Sequence, residues 1–85
     1  MTNNSICIVY DKVAKAYTAP MAFNNVDCAV RYFNSLMINE GDNATDYELY
    51  EIAAFSPDTG VLSNVKMDLI KKGEVVKEVI ANVKE

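Results

Sequence analysis

Tyr10, Lys12, Lys15 and Tyr17 bring two phenol rings and two ammonium groups into a short stretch near the start of the chain. Those residue types can hold a nucleic-acid single strand. Bases stack on the rings, and lysines replace the counterions of the phosphates. Arg31 adds a third cation further on. The plainer account makes Tyr10 and Tyr17 cross-strand partners that pack in a sheet with their hydroxyls at its edge. A second set, Asp46, Glu48, Tyr50 and Glu51, lies in a segment from Asn39 to Gly60 that holds six acids and no base. It suits a protein partner, and an ordinary solvated surface is its plainer account.

Other chemistry lacks its residues. The chain has no histidine, the commonest general base and transition-metal ligand. Cys7 and Cys28 do not make a zinc site without further N or S ligands. With no histidine to pair it, we expect Cys28, near a helix start, to be a buried structural thiol. Asp42, Asn43, Asp46 and Glu48 offer oxygens at a spacing that departs from the calcium-loop pattern. With three glycines, the chain has no phosphate-cradling loop. We therefore expect no enzyme, no catalytic residue, no cofactor and no metal.

Eighty-five residues, 51% of them apolar, make one domain with one core. The net charge of −4 works against phosphate binding. The stretch from Val61 to Glu85 partly offsets this, with five lysines against four acids. The opening residues carry no basic region, and the apolar run Ile6 to Tyr10 is too short for a signal or a span. Free thiols in a reducing compartment follow, with no membrane contact, and the two glycosylation sequons are chance matches.

The elements that must position these groups come next. Ile6 to Tyr10 is apolar on both faces, which predicts a central strand. Residues 1–5 before it are expected to be flexible. Asp11 to Lys15 is a turn, and Ala16 to Ala19 a second, antiparallel strand that ends at Pro20. Asn24 or Asn25 caps a helix over 25–38, whose stripe of Val26, Ala29, Val30, Phe33, Leu36 and Met37 faces the sheet. It stops near Gly41. Asp42 to Asp46 is an exposed loop, and Tyr47 to Phe55 a third strand with a bulge near Glu51. Ser56-Pro57-Asp58-Thr59-Gly60 is a hairpin turn leading to a returning strand over Val61 to Met67. Residues 68–85 are assigned to a C-terminal helix, with a further hairpin as the competing assignment. The expected fold is α+β: a β-β-α-β-β antiparallel sheet with one helix on one face and a C-terminal helix. The expected core is Ile6, Ile8, Val30, Phe33, Leu36, Leu49, Ile52 and Phe55. Apolar residues on both sheet faces exceed what one helix can cover, which predicts a homodimer.

Several of these residues also form an ordered series. Val9-Tyr10-Asp11 leads through Tyr17 to Pro20, then Ala29 and Phe33 follow in the helix. Asp46-Tyr47, Leu49-Tyr50, Ile52 and Phe55 then run into Thr59-Gly60. In order and spacing, from Ile8 to Leu62, this resembles the small non-structural protein of gokushoviruses, tiny single-stranded-DNA phages of the microvirus group. Ala53-Ala54 stands where that family often has glycine, and the lysine-rich tail after Met67 is not assigned to any part of its pattern. The resemblance implies a viral, non-structural accessory protein in the host cytoplasm. It would act in single-stranded DNA synthesis or packaging, by analogy with the small C protein of isometric coliphages. Its partners would be single-stranded DNA or a phage or host protein.

Overall fold

The computed structural model describes residues 3–76. In chain order these form β1 (Asn4–Asp11), β2 (Ala16–Tyr17), β3 (Met21–Phe23), α1 (Val26–Glu40), a 3-10 turn (Gly41–Asp46), β4 (Tyr47–Phe55), β5 (Leu62–Ser63) and β6 (Asp68–Lys72). All pairings are antiparallel. β1 and β4 pair along their whole length at the centre. β2 and β3 share the outer edge of β1, and β5 and β6 share the outer edge of β4. The fold is thus a sheet four strands wide whose two edge strands are each broken.

Local chemistry explains both breaks. Pro20 has no N–H to give to β1, and the ladder lapses between Tyr17 and Met21. Thr18 fills the gap: its Oγ1 accepts the Val9 N–H at 3.0 Å while its own N–H donates to Val9 O at 2.9 Å. On the other edge Asn64 takes a left-handed φ of 52° and ends β5 after two residues. The expected strand over Val61 to Met67 is therefore short, although Lys66 N–H still reaches Ile52 O at 2.8 Å.

Turns and caps follow the sequence closely. Asp11 Oδ1 accepts the N–H groups of Val13 and Ala14, closing the first turn. Asn25, rather than Asn24, caps α1, its Oδ1 accepting the Cys28 N–H at 2.9 Å. Gly41 ends α1 at a φ of 60° and returns its N–H to Met37 O. Gly60, at a φ of 75°, closes the hairpin through its N–H to Ser56 O.

α1 covers one sheet face. Cys7, Val9, Ala29, Phe33, Met37, Ala44 and Leu49 form the core, with Val30, Leu36, Ile70 and Val76 packed against it. Ile8, Phe33 and Leu49 are buried as expected, whereas Ile6, Ile52 and Phe55 are only half-buried. Face alone does not decide this, since Ile8 is buried on the side away from α1 and Val30 and Leu36 on α1 are half-buried. β1 is apolar on both sides, and α1 packs on the Cys7 and Val9 side. A bulge between the Ile6–Ala53 and Cys7–Glu51 pairs, close to its expected place, leaves Ile52 unpaired. It carries Ala53 and Phe55 to the face opposite Leu49.

Three further expectations are corrected. Asn4 and Ser5 belong to β1 rather than to a flexible N-terminus. The segment Asp42 to Asp46 is a 3-10 turn that buries Ala44 completely. Asp68–Lys72 is a strand on β4 and not the start of a helix, because Leu69 and Ile70 are placed on opposite faces of the ladder. Residues 73–76 have no regular structure, and the remainder of the expected C-terminal helix lies outside the described residues. Among the described residues no helix is long and apolar enough to cross a membrane.

Candidate nucleic-acid interface

α1 packs on the Cys7 and Val9 side and leaves the opposite face of the sheet to the strands themselves, where Ile8 and Ala53 are buried. Strand register lays out the side chains of that face. One row crosses Tyr17, Tyr10, Glu48 and Lys72, and the next carries Ile8, Tyr50 and Leu69. Ala22, Ile6 and Ala53 follow, and then Phe55 and Leu62. The Tyr10 and Tyr17 rings are cross-strand partners with centroids 4.5 Å apart and planes tilted by 31°. Tyr17 is 54% exposed, so one side of the pair faces solvent. Tyr50 lies beside them and donates its hydroxyl to Glu48 Oε1 at 2.8 Å. That hydrogen bond raises the Tyr50 pKa above the ordinary tyrosine range, with smaller contributions from burial and nearby groups.

The cross-strand packing expected of Tyr10 and Tyr17 is what the structure shows. The rings pack on each other across the sheet, on the face that α1 does not cover. Lys12 and Lys15 are exposed in the turn joining β1 to β2, at the Tyr10–Tyr17 end of that face. Lys15 sits in the left-handed region at a φ of 57°. Arg31 is not brought to this group. It lies on α1, in the layer covering the other face, with its guanidinium 3.9 Å from Cys28 Sγ. Lys72, counted among the lysines of the tail but not singled out as a site residue, completes the tyrosine row instead. Its two-residue strand period was the available signal, hidden by the helical assignment of 68–72.

The acidic set divides as well. Glu48 and Tyr50 share the open face. Asp46 ends the 3-10 turn, and its carbonyl accepts the Lys12 N–H at 2.8 Å. Glu51 belongs to the other face and to a separate cluster. Ser5 Oγ donates to Glu51 Oε2 at 2.6 Å, and Lys66 Nζ lies 3.0 Å from Oε1. The Ser5 hydrogen bond, helped by Lys66 and opposed by burial, lowers the Glu51 pKa below the usual carboxylate range. Cys7 beside it is a free, buried thiol whose pKa is raised, chiefly by burial. Cys28 is free and half-buried. No group of three or more potential metal ligands occurs among the described residues.

Comparison with known proteins adds one result: the model of the Phage ORF5 protein family matches residues 4–76. The chain belongs to that family. No curated protein and no solved structure matches it significantly. The Phage ORF5 match runs from the first residue of β1 to Val76, so it takes in every element described above. Tyr10, Tyr17, Tyr50 and Lys72 all lie within it. The phage origin implied by the residue series is confirmed at this level, as a Phage ORF5 family protein.

Proposed function

We propose that this Phage ORF5 family protein is a non-enzymatic accessory protein of a gokushovirus-type phage that holds single-stranded DNA on its open sheet face, in the host cytoplasm. The observation that supports this is the Tyr10–Tyr17 pair, with Tyr17 exposed and half-buried Tyr50 beside it, on the face that α1 does not cover. Every base has a π-face, so such a platform accepts any sequence. Lys12, Lys15 and Lys72 flank the rings at the end of the sheet where phosphates would run. A role in genome synthesis or packaging follows from the DNA that such a phage must handle. The test is a titration with a labelled oligonucleotide at several salt concentrations. Binding that weakens as salt rises supports the proposal, and no binding at low salt rejects it.

A second function is supported by Glu48. It stands in the same row as Tyr10 and brings a carboxylate to the middle of the platform. An acidic module using Asp46, Glu48 and Tyr50 would bind a basic patch on a phage or host protein. Glu48→Gln separates the two: it strengthens DNA binding by removing like charge, but weakens capture of a basic protein partner.

A further inference from the structure

A second feature lies away from the tyrosines, where the start of β1, the middle of β4 and the entry to α1 meet. An open cleft of about 280 Å³ is lined there by Asn3, Asn4, Ser5, Asn24, Asn25 and Glu51, with Val26 and Ala54 as apolar walls. Ser5 is only 5% exposed and fixes the carboxylate of Glu51 from one side, while Lys66 holds it from the other.

This pairing decides what chemistry suits the cleft. Lysine offsets the charge of Glu51, so a bare cation has little to gain there. Phosphate would meet a carboxylate. A carboxylate has about four lone-pair sites, and Ser5 and Lys66 occupy two, so Glu51 can still accept an N–H. Asn25 uses its carbonyl oxygen on the helix cap, which leaves its NH₂ as a donor. An acceptor and a donor between apolar walls complement a flat, neutral ring that carries an amino group beside a carbonyl or ring nitrogen. The volume is just under the range of drug-sized pockets, about 300–1,000 Å³, and fits one ring system.

We propose that this cleft, on the α1 side of the sheet, takes one unstacked nucleobase with an exocyclic amino group, cytosine above all, from a DNA strand that continues past the tyrosine face and around the sheet. Carboxylates accept from the cytosine N4 amino group, and thymine has no amino group to offer. The inference rests on the DNA-binding function proposed above and adds a base preference to a platform that has none of its own.

The test uses the full chain, labelled with ¹⁵N, and two oligonucleotides of equal length, one all dC and one all dT. Both should shift the amides around Tyr10 and Tyr17. Only dC should shift those of Ser5, Asn25 and Val26, with an affinity about tenfold higher than for dT. Asn25→Asp keeps a good helix cap but removes the NH₂, and should abolish the preference. Glu51→Gln should also reduce it. Shifts at the tyrosine face with equal affinity for dC and dT overturn the cleft assignment and leave the interface standing. A dC preference that survives Asn25→Asp overturns the assignment too. No shift with either oligonucleotide overturns both.

Discussion

Lys15 carries an unusual combination of strain and exposure. A β-carbon in the left-handed region costs roughly 1–2 kcal/mol, and glycine avoids that cost. Lys15→Gly should therefore raise stability by up to about 1 kcal/mol in urea unfolding, because glycine's extra unfolded-state freedom offsets part of the relief. The same change removes a charge beside the rings and should weaken oligonucleotide binding. Stability and binding moving in opposite directions would mark Lys15 as kept for binding; binding left intact would reject that role. Tyr17→Ala tests the ring itself. Its exposure limits the loss of stability, and binding should weaken by about 1–3 kcal/mol if a base stacks there. A lower melting temperature with unchanged binding would assign the ring to packing alone. Glu51 has a pH signature. Its folded-state pKa is depressed, so its contribution is complete above the unfolded value, about 4.3, and is lost as pH falls through the lower folded value. Glu51→Gln should cost about 1–2 kcal/mol at neutral pH, mostly through the Ser5 hydrogen bond, since Lys66 is 42% exposed. It should also flatten this part of the acid limb, measured as unfolding free energy from about pH 6 to pH 3.

At the scale of elements, the chain just after β6 is held by a glycine. Gly73 N–H donates to Tyr47 O at 2.8 Å, and the residue is buried against the 3-10 turn. A β-carbon there would run into the Ala44 carbonyl oxygen and come within 2.8 Å of Met37 Sδ. Backbone cannot move aside as a side chain can. Gly73→Ala should destabilise by about 1–3 kcal/mol or more, read as a lower urea midpoint. Gly41→Ala meets open space and should show only the conformational cost of its positive φ. The comparison separates crowding from backbone strain. If the two variants unfold alike, close packing of the β6 exit against the turn is not what Gly73 provides.

For the whole molecule, the objection to the proposed DNA binding is the net charge of −4. The distribution of charge answers it. Lys12, Lys15 and Lys72 sit at one end of the open face, while Lys66 is committed to Glu51 and Asp68 on the other side. With about three phosphates neutralised, the logarithm of affinity should fall with the logarithm of salt at a slope near −2, about −0.7 for each contact. Lys15→Ala should make that slope shallower by about 0.7. An unchanged slope would place the phosphates elsewhere. Self-association is a separate proposal. Val61, Leu62, Val65, Met67 and Leu69 are each more than 40% exposed along one broken edge, which supports a homodimer. Light scattering at high micromolar concentration should give twice the 9.4 kDa chain mass, and a monomer mass would reject it.

The sequence by itself determined the elements whose causes are local. Asn25, Gly41 and Gly60 act through their own backbone and nearest neighbours, so the helix, its ends and the hairpin turn were legible. Tyr47–Phe55 was legible as a strand for the same reason, and so was the absence of histidine chemistry. The tertiary structure alone decided which face of β1 meets α1, because both faces are apolar and periodicity cannot choose between them. It alone turned Asp68–Lys72 into a strand, since the free edge of β4 supplies the hydrogen bonds that the segment lacks by itself. The candidate sites follow from those two choices. Packing α1 on the Cys7 side puts the tyrosines on the face it does not cover, and pairing β6 with β4 adds Lys72 to their row. Docking β4 against β1 brings Ser5 to Glu51 across 46 positions of sequence, a separation that no local pattern can reveal.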